Sequence, residues 1–212
     1  PGDKVITTPI TFVASANCVR YCGGEVVFAD INPESYLIDI DSVRNLLEKD
    51  KKIKGIIPVN FAGRVVDMEA FRNLADEFGC WIIEDACHSP GGYYTNQTGE
   101  NFLSGSGHYA DLSIFSFHPV KHIAAGEGGM ITTNNFSLYN KLKNLNYIHT
   151  WYSVHVILVY LDIQVFILIF LKIKRFHIEY NSQPILFPFL VRYRYSFLYP
   201  SSYTLHCIPL IQ

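Results

Sequence analysis

Two ionisable side chains stand where a protein could carry out amine chemistry. Lys121 ends the segment Ser116–Lys121, which follows one apolar run, and Asp85 closes another apolar run, Trp81–Asp85. A lysine amine can form a Schiff base with an aldehyde. A carboxylate can hold a pyridine nitrogen protonated, so that the ring accepts electrons. The pair therefore predicts a pyridoxal phosphate site, with Lys121 as the catalytic residue and Asp85 as the partner of the ring nitrogen.

Residues 1–150 alternate apolar, β-branched runs with helix-length segments, which predicts an α/β fold with a parallel sheet covered on both faces. In such sheets ligands bind beyond the carboxyl ends of the strands, so we expect Asp85, Asn60 and Ser116 at one edge. We expect Ser15 to be the N-cap of the first helix. The predicted strands are 5–8, 26–30 (buried), 56–60, 81–85, 112–117 and 129–133, and the predicted helices are 15–21, 41–49, 67–78 (Asp67 as its N-cap, Gly79 at its end) and 138–145 (Asn134 or Asn135 as its N-cap).

Charge, cysteine content and glycine patterning narrow the function classes. The formal net charge is -2, and no basic run is longer than Lys51, Lys52 and Lys54, so no nucleic-acid partner is expected. Cys18 and Cys22 have a spacing that zinc can use, but no second pair follows, and reduced thiols in a cytoplasmic protein are the preferred interpretation. The sequence contains no GxGxxG or P-loop motif, so neither a dinucleotide nor ATP is indicated.

The composition changes near residue 150. All 14 glycines lie in residues 1–150, and residues 151–212 contain neither Gly nor Ala. Residues 154–171 are strongly apolar, and a membrane-spanning helix there is one alternative. Three polar residues interrupt the stretch (His155, Asp162 and Gln164), which disfavours a span, so no membrane partner is expected.

Five ordered motifs resemble those of the DegT/DnrJ/StrS sugar aminotransferases, which are pyridoxal phosphate-dependent transferases of fold type I. The resemblance covers residues 1 to about 147. It implies that 1–147 is a partial cofactor-binding large domain, with a mostly parallel sheet between helices, and that 148–212 is an atypical tail. The motifs are Thr8–Asn17, Pro58–Gly63, Glu84–Ser89, Ser116–Lys121 and Gly126–Gly129.

The resemblance also implies a role for each of five side chains. Lys121 would form the Schiff base and, once released, would move a proton between the substrate carbon and the cofactor. Asp85 would pair with the ring nitrogen, and Phe12 would stack on the cofactor ring. His88 would lie against the ring or its O3′, and Ser116 would donate to the phosphate. The alternatives are a surface lysine, a helix cap at a strand end, a core phenylalanine, and a structural histidine and serine. For His118 and His122, substrate contact and structural support both stay open.

The implied reaction is transamination in two stages, from L-glutamate to the 4-keto group of a UDP-linked 6-deoxy amino sugar, for surface-glycan synthesis. Within the family, the segments around Phe12, Asn60 and Lys121 are most similar to the transaminases of pseudaminic acid synthesis. The resemblance implies a homodimer with a nucleotide sugar and an amino-acid donor as its small-molecule partners. A catalytically inactive remnant and a sensor that only binds the cofactor are the alternatives.

Family features are not readable at either end of the chain, and we expect it to be a fragment. The chain opens at Pro1 without an initiator Met, after the place of the family's upstream phosphate-binding turn. Beyond residue 147 the family's His-Gly-Ile turn, its Asn-Tyr-Arg loop and its small C-terminal domain are not found. One hypothesis is that 148–212 is a frameshift product. If Thr150, Trp151 and Tyr152 are encoded ACA-TGG-TAT, reading one base later restores His-Gly followed by Ile or Met.

Overall fold

The computed structural model describes residues 1–125, 128–149, 156–161 and 164–169. Strands and helices alternate through most of the chain, which confirms the predicted α/β class. A short 3-10 turn, Phe61–Gly63, follows β3. The helices are α1 (Ala14–Tyr21), α2 (Ile40–Lys49), α3 (Met68–Phe78) and α4 (Phe136–His149); the strands are β1 (Lys4–Thr7), β2 (Glu25–Phe28), β3 (Ile53–Ile57), β4 (Trp81–Asp85), β5 (Tyr93–Thr95), β6 (Asn101–Leu103), β7 (Leu112–Ser116), β8 (Gly129–Thr132), β9 (Val156–Leu161) and β10 (Gln164–Ile169).

The main sheet has the strand order β10-β9-β8-β7-β4-β3-β1-β2. The pairs β1–β2, β1–β3, β3–β4 and β4–β7 are all parallel, whereas β8 runs antiparallel to β7. A separate antiparallel pair, β5–β6, lies between β4 and β7 in the chain. The strands from β2 to β7 in this order are therefore all parallel, and the reversal at β7–β8 starts β8 at the edge where β4 and β7 end.

Apolar side chains are buried on both faces of the sheet, as successive residues of a strand point to opposite faces. One face packs against α2 and α3, with Ile6, Ile56 and Ile82 in contact with helical residues such as Val43 and Leu74. The other face packs against α1, where Val5 and Ile57 meet Val19. The core therefore holds the strand ends in a fixed register, and the carboxyl ends of the strands come together at one edge.

Two predictions of local structure are wrong. The strand predicted at 26–30 to be buried is β2, which pairs with β1 alone at the end of the sheet and leaves Phe28 53% exposed. Ser15 is not the N-cap of α1, since the helix begins at Ala14 after Val13. By contrast, Asp67 caps α3 by accepting from the Ala70 N–H at 3.0 Å, and Gly79 ends that helix in a left-handed conformation (φ 68°), as predicted.

The last helix is longer than the predicted 138–145, and Asn135 is its cap: the side-chain Oδ1 of Asn135 accepts from the backbone N–H of Ser137 at 2.9 Å. Of the atypical tail, 148–212, the structure describes the end of α4 and the strands β9 and β10. The remainder of the tail, and with it most of the frameshift hypothesis, lies outside the described residues. Among the residues that are described, no helix has both the length and the apolar character needed to cross a membrane.

Candidate active site

The carboxyl ends of β4 and β7 lie side by side. The parallel register pairs Asp85 of β4 with Ile114 of β7, so Ser116 ends its strand two residues beyond. The backbone N–H of Asn60 donates to the Asp85 carbonyl at 3.0 Å, which brings the segment after β3 to the same place. The structure therefore gathers Asp85, Asn60 and Ser116 at one edge of the sheet.

The Asp85 carboxylate is almost completely buried, with 6% of the residue exposed. The Ser15 hydroxyl donates to its Oδ2 at 2.7 Å, and the Cys87 backbone N–H donates to its Oδ1 at 3.1 Å. Asp85 takes part in none of the ion pairs formed by the described residues. A carboxylate can accept about four hydrogen bonds, and buried charges are normally paired. Asp85 can therefore receive a further donor, and a cation would suit it best.

Lys121 lies in the loop from β7 to β8, which returns to this edge because β8 is antiparallel to β7. At the base of the loop the Phe117 N–H donates to the Gly128 carbonyl at 2.8 Å. Burial raises the pKa of the Cys87 thiol well above its usual range, and the positive charge of Lys121 opposes that rise. The charge of Lys121 thus acts on Cys87, two residues after Asp85.

His88 is half-buried beside the 3-10 turn. Its Nδ1 accepts a long hydrogen bond, 3.4 Å, from the Ala62 N–H, so the neutral ring carries its proton on Nε2. Burial lowers the pKa of His88, the positive charges of Lys121 and His122 lower it further, and Asp85 acts in the opposite direction. The imidazole therefore lies within the electrostatic reach of both Lys121 and Asp85, which is compatible with its expected place near the cofactor ring.

Phe12 is 70% exposed, so the alternative of a core phenylalanine is wrong for the described chain. It lies in the turn before α1, where its carbonyl accepts from the Ser15 N–H at 3.1 Å. Phe12 is therefore one turn away from the hydroxyl that holds Asp85. Stacking of Phe12 on a cofactor ring stays a prediction.

Ser116 stands half-buried at the end of β7. Its Oγ accepts from the His118 backbone N–H at 3.3 Å, so its own hydroxyl hydrogen can be donated to another acceptor. That geometry is compatible both with phosphate binding and with an ordinary serine at a strand end. His118 itself is exposed.

A sequence profile of the DegT/DnrJ/EryC1/StrS aminotransferase family matches residues 1–150. The chain belongs to this family. It is 38% identical over 146 residues to the spore coat polysaccharide biosynthesis protein SpsC of Bacillus subtilis, a match that covers 69% of this chain and 35% of the relative. It is also 38% identical over 141 residues to the UDP-4-amino-4,6-dideoxy-N-acetyl-beta-L-altrosamine transaminase of Campylobacter jejuni, covering 66% of this chain and 36% of the relative.

Solved structures of aminotransferases share this fold. Helicobacter pylori PseC, an aminotransferase involved in the biosynthesis of pseudoaminic acid, superposes with a TM-score of 0.61 at 32% identity, covering 68% of this chain and 36% of PseC. NtdA of Bacillus subtilis, solved with bound cofactor PMP, gives a TM-score of 0.61 at 34% identity, covering 69% of this chain and 31% of NtdA. These likenesses confirm the predicted fold type. The chain spans about a third of the length of the relatives that it matches.

In this member of the aminotransferase family, the neighbour of Asp85 in β4 is also a buried carboxylate. Glu84 points to the opposite face of the strand, and burial raises its pKa while its hydrogen-bond donors oppose the shift. The side chain of Asn60 contacts Glu84 and not Asp85, because its Nδ2 donates to the Glu84 carboxylate. Its Oδ1 accepts from the Val66 N–H at 2.9 Å. The donors to Glu84 are Asn60 Nδ2 (2.8 Å), Ser113 Oγ (2.8 Å), Ser104 Oγ (2.9 Å) and the Gly105 N–H (3.1 Å).

The cofactor of the DegT/DnrJ/EryC1/StrS aminotransferases is pyridoxal phosphate, and the described residues fit it. Asp85 is a buried carboxylate with capacity for a cationic donor, which a protonated pyridine nitrogen would supply. Lys121 provides an amine at the same edge. The exposed ring of Phe12 offers an aromatic surface close to Asp85.

The side chain that contacts Asp85 could not be predicted from single motifs. Ser15 donates to Asp85, and Thr11 lies four positions before it with its Oγ1 3.2 Å from the Ser15 Oγ. A serine near the start of a helix was expected to cap it, which is the commoner use of that residue type. Thr11 and Ser15 are four residues apart within one motif, but Thr11 precedes α1, so no helical spacing indicated their contact.

Proposed function

We propose that the protein carrying this chain is a pyridoxal phosphate-dependent aminotransferase that moves the amino group of L-glutamate to the 4-keto carbon of a UDP-linked 6-deoxy amino sugar. When bound, the cofactor supplies an aldehyde that takes up the amino group and a protonated ring that withdraws electrons. The donor leaves as its 2-oxo acid and the sugar leaves as its amine, so the exchange balances. The product would serve surface-glycan synthesis.

In this proposal Lys121 has two tasks. Its Nζ would hold the cofactor through the aldehyde carbon, and as a free amine it would act as the base that moves a proton at the donor's α-carbon. Asp85 holds the proton on the ring nitrogen. The Ser116 hydroxyl donates to the cofactor phosphate, Phe12 covers one face of the ring, and His88 contributes a neutral imidazole at its edge.

The observation that supports this proposal best is the burial of Asp85 next to residues on which the charge of Lys121 acts. Asp85 is buried with two donors and no ion-pair partner among the described residues, and the charge of Lys121 acts on both Cys87 and His88. A lysine and a buried carboxylate at the carboxyl edge of an α/β sheet are the two groups that the chemistry needs.

Covalent trapping tests the cofactor part of the proposal. The chain is mixed with pyridoxal phosphate and reduced with borohydride, and the modified peptide is identified by mass spectrometry. We expect a pyridoxyl group on Lys121, loss of that group in Lys121→Ala, and no loss in Lys54→Ala, which removes an exposed lysine of β3. The absence of any adduct, together with no change in the absorbance spectrum on adding pyridoxal phosphate, would contradict the proposal and support the inactive alternative. An adduct found only on other lysines would contradict the role of Lys121.

The proposed sugar and nucleotide are taken from the names of relatives, and these names differ in the nucleotide. The Campylobacter jejuni relative is named for a UDP sugar, whereas a relative from Caulobacter vibrioides at 37% identity is named GDP-perosamine synthase. The intact protein should be assayed with UDP-, GDP- and TDP-linked 4-keto sugars and with L-glutamate. We expect the UDP sugar to have the highest kcat/KM, and preference for another nucleotide would overturn that part. We further propose a cytoplasmic homodimer, for which gel filtration with light scattering of the intact protein is the test.

A further inference from the structure

A pair of hydroxyl groups, Thr11 and Ser15, lies behind Asp85. We propose that Ser15 is a positioning residue: its hydroxyl donates to the Asp85 carboxylate and turns the remaining lone pairs of that group toward the ring nitrogen of the cofactor. The inference rests on the proposed function, since it takes Asp85 to be the partner of that nitrogen. Neither the sequence motif nor the family resemblance assigned Ser15 such a role.

The direction of the hydrogen bonds follows from the number of hydrogens present. Ser15 has one hydroxyl hydrogen, and its Oγ lies 2.7 Å from the Asp85 Oδ2, an atom that only accepts when the carboxylate is ionised. The Ser15 hydrogen is therefore used on Asp85. The contact of 3.2 Å between Thr11 Oγ1 and Ser15 Oγ must then be a donation from Thr11 to Ser15. The chain of donors runs from Thr11 through Ser15 to Asp85.

This arrangement strengthens the hydrogen bond that Asp85 accepts from Ser15. A hydroxyl that itself accepts a hydrogen bond is a stronger donor, and a hydrogen bond to a carboxylate is stronger than one between neutral groups. Ser15 is buried and is fixed in the first turn of α1, where its N–H donates to the Phe12 carbonyl at 3.1 Å. The donor therefore remains in place without reorganisation when the cofactor binds.

The same arrangement fixes the orientation of the carboxylate. Ser15 holds Oδ2 and the Cys87 N–H holds Oδ1, so each oxygen has one donor and the plane of the group cannot rotate without losing a hydrogen bond. Each oxygen keeps capacity for a further donor. A single rigid orientation favours a short, linear bond to a ring nitrogen.

Ser113 of β7 supplies a matched control for Ser15. Its hydroxyl donates at 2.8 Å to the Oε2 of Glu84, which lies on the other face of β4 from Asp85, and both residues are buried. Ser113→Ala thus removes the same kind of bond from the neighbouring carboxylate, at nearly the same length, without touching Asp85. A general loss of packing would affect both serine variants, whereas a specific effect on Asp85 would appear in Ser15→Ala alone.

The test is nitrogen-15 NMR of ring-labelled pyridoxal phosphate bound to the chain, followed against pH. In the parent chain we expect the ring nitrogen to be protonated near neutral pH. Ser15→Ala should lower the pH at which the ring nitrogen loses its proton by about one unit, a roughly tenfold change in that equilibrium, as the loss of one hydrogen bond to a charged group implies. Ser15→Thr should restore the parent behaviour, and Ser113→Ala should leave it unchanged.

The outcomes separate the two proposals. No covalent binding by the parent chain would overturn the proposed function together with this inference. If Asp85→Asn binds the cofactor and its ring nitrogen stays protonated as in the parent chain, the role of Asp85 is overturned. An equal response of Ser15→Ala and Ser113→Ala, or no response of either, would overturn the role of Ser15 alone. If Ser15→Ala does not fold, Thr11→Val carries the test, with a smaller change in the same direction expected and no change overturning the inference.

Discussion

The amide Nδ2 of Asn60 donates to the Glu84 Oε1 at 2.8 Å, and both side chains are completely enclosed by the fold. The contact joins the segment after β3 to the neighbouring strand β4. It lies one residue from Asp85 but on the other face of β4. The edge that carries the candidate active site is thus held from behind by a polar network, and this network can be tested separately from the chemistry.

Replacing Asn60 with Ala should destabilise the fold strongly. The change removes the donor to Glu84 and the acceptor of the Val66 N–H, and leaves their buried partners unsatisfied. We expect the free energy of unfolding to fall by about 2–4 kcal/mol, as measured by urea denaturation. Asn73→Ala, on the exposed side of α3, is the control and should change it by less than about 0.5 kcal/mol. Similar values for the two variants would contradict the structural role of Asn60.

Glu84 should make the stability depend on pH. Burial raises the pKa of the folded carboxyl above the ordinary 4.5, so the folded state retains a proton that the unfolded chain has released. The free energy of unfolding therefore decreases as pH rises from about 4.5 to the folded pKa, and the contribution is fully present below that window. Glu84→Gln should remove this decrease, as seen in denaturation curves measured across the window.

Glu77→Gln is the contrasting variant for that experiment. The hydrogen bonds from Arg44 lower the pKa of Glu77, so its contribution is present at higher pH and is lost as pH falls through the folded pKa. The two variants should therefore change the pH dependence in opposite directions, with the smaller change for Glu77 because this ion pair is exposed to solvent. Changes of the same sign would contradict the assigned environment of Glu84.

The titration of His88 should report the position of Lys121. Burial lowers the pKa of His88, and the positive charge of Lys121 lowers it further. Lys121→Gln should therefore raise the pKa of His88, as followed through the imidazole carbon-bound protons by NMR. Lys54→Gln, on β3, removes the same charge elsewhere and should leave the His88 titration in place. An unchanged curve in Lys121→Gln would place the lysine away from the Asp85 edge.

The cysteines should differ in reactivity with iodoacetamide at mildly alkaline pH. Burial raises the pKa of Cys18 to about 11 and raises that of Cys87 well above its usual range, so little thiolate forms at either. Cys22 is exposed at the end of α1. Peptide mapping should show Cys22 labelled about tenfold faster or more than Cys18 and Cys87. In urea the difference should vanish, and its persistence there would mean that the fold is not its cause.

The sequence predicted the elements whose pattern is local. The apolar run that ends at Asp85, the cap at Asp67 and the stop at Gly79 are each determined within a few residues, and the structure has all three. The edge position of β2 could not be predicted, because an apolar run does not reveal how many neighbours the strand will have. The hairpin β5–β6 was missed because each strand has only three residues.

The residues of the candidate site also differ in how far their positions could be predicted from the sequence. The positions of Asp85 and Ser116 follow from a general rule about the carboxyl ends of parallel strands, so the sequence sufficed for them. The contact of Ser15 with Asp85 depends on how α1 packs against β4, which no local pattern encodes. The inward direction of the Asn60 side chain likewise depends on Glu84, Ser89 and Ser104 arriving from elsewhere in the chain.

The β7–β8 hairpin and the Ser15–Asp85 contact should form at different times when the chain folds. The two strands that hold the Lys121 loop are consecutive in the main sheet, whereas Ser15 and Asp85 are 70 residues apart. Contacts that close longer loops cost more entropy and form more slowly. During synthesis Ser15 leaves the ribosome well before its acceptor exists. A refolding chain would thus form the Lys121 loop early and fix the Asp85 carboxylate late, and with the proposed function tight cofactor capture would mark the completion of folding.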